Sequence, residues 1–496
     1  MDLSRSTGIT APPSGTLAIK TAAVVGFLIF VEFTSGFVQG FYVPMFSVMA
    51  EHWGITDADI TWFNTIQDLA ACICVPVLAK LGDIFGHRRI LRIAIVSVLI
   101  GTLITALTSF YPAVLLGRLL VGPPLVWLPL EIALVHNRLT RDSARKAIGM
   151  LVSALTIGIV AGTLSAGAFS KLTHNVTLLL LIPCLIIAVC VVVVFTVVPE
   201  STTRTTPHID GIGFAGLGLV VAGVFFGLSQ AQRSGFGSPA AWIPLASAAL
   251  AVLFWARWEL STRAPAVDLR VMSSRSLWPV YLFSFIFGIC VAGTQTIRTT
   301  FLAARPEVSG FGFSMSPAAI GLVAASYAVL ATLTAAGFAY FAKPIGLKGV
   351  LISGVGLIAV SDIIMVFWNH ILPLSITSVM LAGAGAGFVM SALPTIVAEA
   401  APDDQTGIAT GLSSTLKTLG GAAAGAGFAM VLASFTDFGA KRASIGGYET
   451  VWIVCTLLLF LCPVLLWFLP KHMRSRDDAD TTDPATATES DSAVTS

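Results

Sequence analysis

Charge is what this 496-residue chain has least of. Only 11% of its residues are Asp, Glu, Lys or Arg, against roughly a quarter in soluble domains. That scarcity excludes a water-soluble globular enzyme. The 28 basic and 26 acidic residues nearly cancel, so no basic surface is left over for nucleic acid. The sequence has no Gly-Lys-Ser/Thr phosphate loop. Its glycine clusters at 383–387 and 420–427 lie in apolar runs, where tight helix contacts explain them better, and an ATP-driven pump is not expected. The seven cysteines show neither metal nor disulfide spacing and read as small buried hydrophobes. No metal or cofactor is expected. No cluster of His, Asp and Glu falls at catalytic spacing on one helix, so an enzyme is not expected either. The apolar runs are continuous rather than alternating, which excludes an outer-membrane barrel.

What is present is hydrophobic length: 56% of the residues are hydrophobic. About 20 apolar residues cross a bilayer core, and fourteen such runs are found, at 20–49, 59–80, 89–109, 112–135, 146–170, 176–198, 210–231, 239–259, 276–303, 317–342, 347–368, 371–399, 407–435 and 448–469. The first run carries Glu32 and lacks a small-residue cleavage site, so it is expected to stay as a helix. With the N-terminus in the cytoplasm, 20 of the 28 Lys and Arg fall in cytoplasmic segments. Five fall in outer loops and three, Arg118, Arg298 and Lys417, inside helices. This bias satisfies the positive-inside rule and places both termini in the cytoplasm; the expected location is the cell (inner) membrane. The expected organisation is a disordered tail (1–17), a six-helix bundle (18–200), two inserted helices with a linker (201–275), a second six-helix bundle (276–470) and a disordered tail (471–496).

Residues 79–91 read Ala-Lys-Leu-Gly82-Asp83-Ile-Phe-Gly86-His-Arg88-Arg89-Ile-Leu. Gly86 suits a tight turn, and a negative Asp83 near the start of the next helix is favoured. A weak echo, Lys343-Pro344-Ile345-Gly346, follows the tenth run. The segment resembles the loop between helices 2 and 3 of the major facilitator superfamily, with Ala79, Ile84 and His87 departing from its pattern. Arg118-Leu-Leu-Val-Gly122 is similar to that family's helix 4 motif. The fourteen-run count and the character of residues 208–270 resemble the drug/proton antiporter branch. In the helix 5 motif, Gly158, Gly162 and Gly167 are kept, but Thr163 stands in the proline position and Ala166 replaces a glycine. The small-residue spine for close packing is retained and the proline kink is not. On helix 1, Glu32 and Thr34 fit the branch, whereas Phe37 takes an Asn place and Pro44 comes late.

The resemblance implies an all-α membrane protein of the major facilitator fold: two six-helix bundles, plus two extra central helices, that rock about a central site. At 1.5 Å rise per residue, Glu32 lies ~18 Å from the inner face, Asp68 ~14 Å from the outer face and Lys417 ~15 Å from the inner face, all close to mid-membrane. Glu32 and Asp68 are the candidates for proton coupling, because at Glu32 a proton and a cationic cargo compete. Arg118, Lys417 and Asp362 are the candidates for gating or charge coupling, with an Asp68–Lys417 pair expected to bridge the halves. Glu131 and Arg298 sit near helix ends, where snorkelling to the headgroups competes with a buried role. Polar stripes run along Glu32, Ser35, Gln39 and Tyr42, along Thr61, Asn64, Thr65 and Asp68, along Gln295, Arg298 and Thr299, and along Ser413, Ser414, Lys417 and Thr418. The cavity is assigned to Glu32, Gln39, Tyr42, Trp127, Gln295 and Arg298. The expected task is proton-coupled efflux of an amphipathic small molecule by a monomer whose partners are its cargo, protons and the bilayer. A proton-coupled uptake permease and a transport-inactive sensor or scaffold are the alternatives.

Overall fold

The computed structural model describes residues 14–136, 141–196, 210–234, 238–262, 269–272, 277–401, 406–436 and 442–468. The chain ends assigned to tails lie almost wholly outside these residues. Among the described residues there are helices and no strands. In chain order the helices are α1 (Ser14–Tyr42), α2 (Phe46–Trp53), α3 (Asp57–Phe85), α4 (His87–Leu107), α5 (Tyr111–Leu120), α6 (Pro124–His136), α7 (Arg141–Leu172), α8 (Val176–Thr196), α9 (Gly211–Ser234), α10 (Pro239–Ser261), α11 (Leu269–Met272), α12 (Trp278–Val291), α13 (Gln295–Ala303), α14 (Pro306–Ser309), α15 (Pro317–Ala336), α16 (Phe338–Phe367), α17 (Leu372–Ala400), α18 (Thr406–Ser434) and α19 (Ile445–Trp467).

Among the described residues, thirteen helical stretches are long and apolar enough to cross a membrane. The fourteenth run is α5 plus α6, broken at Val121–Pro123, so neither piece has the full length. The protein is a multi-pass membrane protein. Three runs read as continuous in the sequence are broken in this way. Pro44 sits in a 3₁₀ turn, Val43–Met45, between α1 and α2. Pro123 and Pro124 interrupt the fourth run, and Ala292–Thr294, with Gly293, separate α12 from α13. Proline removes a main-chain donor and crowds the preceding turn, which accounts for the first two breaks.

Two six-helix bundles repeat the same packing. In one, α1 crosses α7 and α4 packs on α8; in the other, α12 crosses α18 and α16 packs on α19. The two crossings use matched glycines. A Cβ on Gly36 would overlap the Leu155 carbonyl, and one on Gly158 the Phe33 carbonyl. In the second bundle, Gly288 meets Lys417 and Gly420 meets Phe285 in the same way. The echoed turns also match, since Gly86 and Gly346 both adopt positive φ, +105° and +69°, values that glycine takes without a steric penalty. The end of the molecule bearing these turns is called the motif end, and the opposite end the far end.

The inserted helices α9 and α10 are tied together by Trp255 Nε1 donating to the Gly213 carbonyl and Trp258 Nε1 to Asp210 Oδ1, both at 2.9 Å. Their α9 face lies along the seam between α3 and α18, where Phe225 meets Trp62 edge-on beside Leu69, Val221 and Ala426.

The glycine crossings set a test of the fold. Gly158→Leu drives a side chain into a backbone, and overpacking costs about 1–3 kcal/mol or more. It is expected to lower the thermal unfolding midpoint in detergent. Gly149→Leu, on the same helix but facing open space, is expected to leave the midpoint unchanged.

Candidate transport site

Glu32 on α1 is buried, at 1% exposure, and its neighbour is Glu131 on α6, fully buried. Each carboxyl lies within side-chain hydrogen-bonding reach of the other. Glu131 therefore does not snorkel. A glutamate stem is short, and this one is on the face of α6 that packs against α1. Glu32 Oε2 and both oxygens of Glu131 receive no hydrogen bond. Two ionised carboxylates have no hydrogen to give one another, whereas a single proton between them would complete the contact.

Arg118 at the end of α5 is 2% exposed. Its Nε donates to the Phe63 carbonyl at 3.2 Å and its Nη2 to Gln67 Oε1. The guanidinium lies over the rings of Phe63 and Tyr42, 3.9 and 4.8 Å from their centroids, an arrangement that favours a cation. The acid that Arg118 faces electrostatically is Asp68, not Glu32. Asp68 and Lys417 are both half-buried, but they do not form the expected ion pair. The α18 residue beside Asp68 is Gly421, where an added Cβ would lie 3.7 Å from Asp68 Oδ2. Lys417 is one helical turn further toward the motif end.

In the second bundle Arg298 pairs with Asp362 and donates to Ser361 Oγ at 3.1 Å. It is 7% exposed, so a buried ion pair replaces snorkelling here too. Asp362 Oδ2 has no partner. The bundles differ in charge at matched positions. Glu32 precedes Phe33 at the first glycine crossing, and Ser284 precedes Phe285 at the second, where it shares a 2.8 Å hydrogen bond with Ser413.

Of the remaining assigned residues, Gln39 is half-buried and donates to Ser35 at 3.1 Å, Tyr42 sits beneath Arg118, Trp127 is buried, and Gln295 is exposed. Gly158 and Gly162 press on the backbone of α1, while Gly167 presses on Ala318 of α15, across the halves. Thr163 donates to Ile159 at 2.7 Å and α7 runs unbroken from 141 to 172, as the absent proline implies. At the motif end Gly82 packs on Leu130. Arg88 donates to the Phe195 carbonyl at 3.1 Å, and Arg89 is exposed. The Asp83 side chain lies outside the described residues.

Sequence reasoning missed a polar clasp at the far end. Asp57 Oδ2 accepts from Tyr448 at 2.8 Å, Asn64 donates to Thr296 at 3.1 Å, and Arg442 donates to Ser47 at 2.9 Å. Glu51 lies 3.6 Å from Arg442 and 3.8 Å from Arg305. Each link joins the first bundle to the second, so this conformation is held shut at the far end. Spacing along one helix carries no signal for such contacts.

A family model described as Major Facilitator Superfamily matches residues 28–306 and 289–493. The chain belongs to the major facilitator superfamily. Among its relatives in the superfamily, the multidrug efflux pump LfrA of Mycolicibacterium smegmatis is 23% identical over 477 residues, covering 90% of each chain. The uridine/deoxyuridine transporter of Lactococcus lactis subsp. cremoris is 22% identical over 422 residues, covering 83% of this chain and 85% of the relative. The fold is similar to the crystal structure of the nucleoside transporter NupG, with a TM-score of 0.63 at 14% identity, covering 91% of this chain and 98% of that one.

The clasp can be tested by opening it. Tyr448→Phe removes a buried hydrogen bond to a carboxyl, a loss of about 1.5–3 kcal/mol when the partner is charged. Spin labels placed across the far end, on α2 and α19, are expected to show a larger share of long distances in the variant. An unchanged distance distribution would mean that this bond does not hold the end shut.

Proposed function

We propose that this superfamily member is a secondary active transporter of the bacterial inner membrane that exports amphipathic small molecules in exchange for protons. The observation that carries the reading is Glu32, an acid buried at mid-helix with no basic side chain among its electrostatic neighbours. Such a group accepts either a proton or a cationic cargo, and the competition couples the two. Both termini lie in the cytoplasm on this reading, as the Lys/Arg bias requires. The motif end is then cytoplasmic and the clasped far end faces outward. The bundles at 18–200 and 276–470 rock about the site as a monomer, and Asp83, Arg88 and Arg89 stabilise the packing in which the cytoplasmic end is closed. Asp68 and Arg118 form the neighbouring charge pair, and Lys417, Arg298 and Asp362 bias the open side.

Uptake is the second reading. It is favoured by Thr163 in place of the antiporter proline and by the similarity to a uridine/deoxyuridine transporter. Everted membrane vesicles with an acidic lumen separate the two, because export predicts cargo accumulation in the lumen and uptake predicts none. In the same assay Glu32→Gln is expected to weaken the dependence of transport on the proton gradient. Wild type and variant behaving alike for every transported compound would remove Glu32 from the mechanism.

A further inference from the structure

The exporter reading needs one carboxyl, and the structure buries two. Glu131 is fully buried, none of its side-chain oxygens has a donor, and its neighbour is Glu32. The elements packed around them bring no basic side chain to either acid among the described residues. Cys190 of α8 is the titratable group facing both, and Thr34 turns its hydroxyl back to the Phe30 carbonyl at 2.9 Å. Arg118, the buried arginine of this bundle, is committed to Gln67, the Phe63 carbonyl, two rings and Asp68. Two ionised carboxylates side by side in a low-dielectric site are mutually unfavourable. One proton held between them supplies the missing donor and leaves a single negative charge.

We propose that Glu32 and Glu131 act as one site, which retains one proton between them through the cycle and exchanges a second proton for the single ammonium-type charge of a monocationic cargo. The inference rests on the exporter reading and specifies its cargo class. The step balances: the doubly protonated, neutral pair takes up a monocation and releases one proton, leaving a singly protonated pair beside the cation with no net charge. A second positive charge on the cargo would be left uncompensated. Trp127 lies one helical turn before Glu131 on α6 and so shares its face. An indole there suits a cation whose charge is spread over apolar groups.

The probe is tetraphenylphosphonium, added to the purified full-length protein in weakly buffered detergent while the pH is followed. Wild type is expected to release one proton for each cation bound. Glu32→Gln and Glu131→Gln are each expected to bind more weakly and still release protons, and the double variant to release none. Infrared difference spectra over a pH titration test the pair without any ligand. A protonated-carboxyl band is expected to persist in wild type at alkaline pH and to be missing from both single variants. The shared site is overturned if that band disappears from wild type, or if Glu131→Gln matches wild type while Glu32→Gln alone loses proton release; the exporter reading survives either result. Cation binding to wild type without proton release overturns the exporter reading instead.

Discussion

A charge inside a bilayer must be paired, neutralised by a proton or led to water, and this requirement organises the middle of the molecule. The cost of leaving it unmet is several kcal/mol per group. Each buried charge meets it differently. Arg298 and Asp362 pair directly. Arg118 combines two aromatic faces, a side-chain amide and a main-chain carbonyl, with Asp68 as its electrostatic partner. Glu32 and Glu131 have only each other, and a pair of acids satisfies the requirement only by holding a proton. On the exporter reading, the chemistry that makes the site costly is also the chemistry that couples it to protons.

The surrounding helices keep that site dry and in place. Glycines at the α1–α7 crossing bring backbones into contact from Phe33 to Gly40, immediately after Glu32, with Gly36 and Gly158 close to its own turn. The same crossing recurs at α12–α18, but there Ser284 and Ser413 hydrogen-bond to one another. Duplication thus preserved the packing and not the charge. The two buried acids that face one another, Glu32 and Glu131, lie in the first bundle, while the second contributes one neutralised ion pair and the half-buried Lys417.

Helix number and type were legible because an apolar run of about 20 residues has few alternatives in a bilayer. Breaks inside the runs were less so. Pro44 and the Pro123–Pro124 step were visible, but whether a proline bends or ends a membrane helix depends on what re-satisfies the freed backbone groups. Glu32 could be singled out by depth on its own helix. Glu131 could not, because depth placed it near a helix end and only the packing of α6 on α1 shows what it faces. The Asp68–Lys417 pairing failed for a related reason: adjacent helices were inferred correctly, but the register between them was off by one turn. The Asp57–Tyr448 link joins residues 391 positions apart, and no periodicity reports on it.

The inserted helices make the two seams between the bundles unequal. α7 meets α15 through Gly167 and Gly321, and among the described residues the element that packs on both is the short turn Val43–Met45. The α3–α18 seam, which carries Asp68 and Lys417, is covered by α9 through Trp62, Phe225 and the small residues Ala422, Ala426 and Ala429. Small residues at that contact let α9 approach closely, and close approach excludes lipid and water together. A seam holding two ionisable side chains near mid-membrane is the one that gains most from such cover. The position of the extra pair therefore follows from the same requirement that governs the acids of the first bundle.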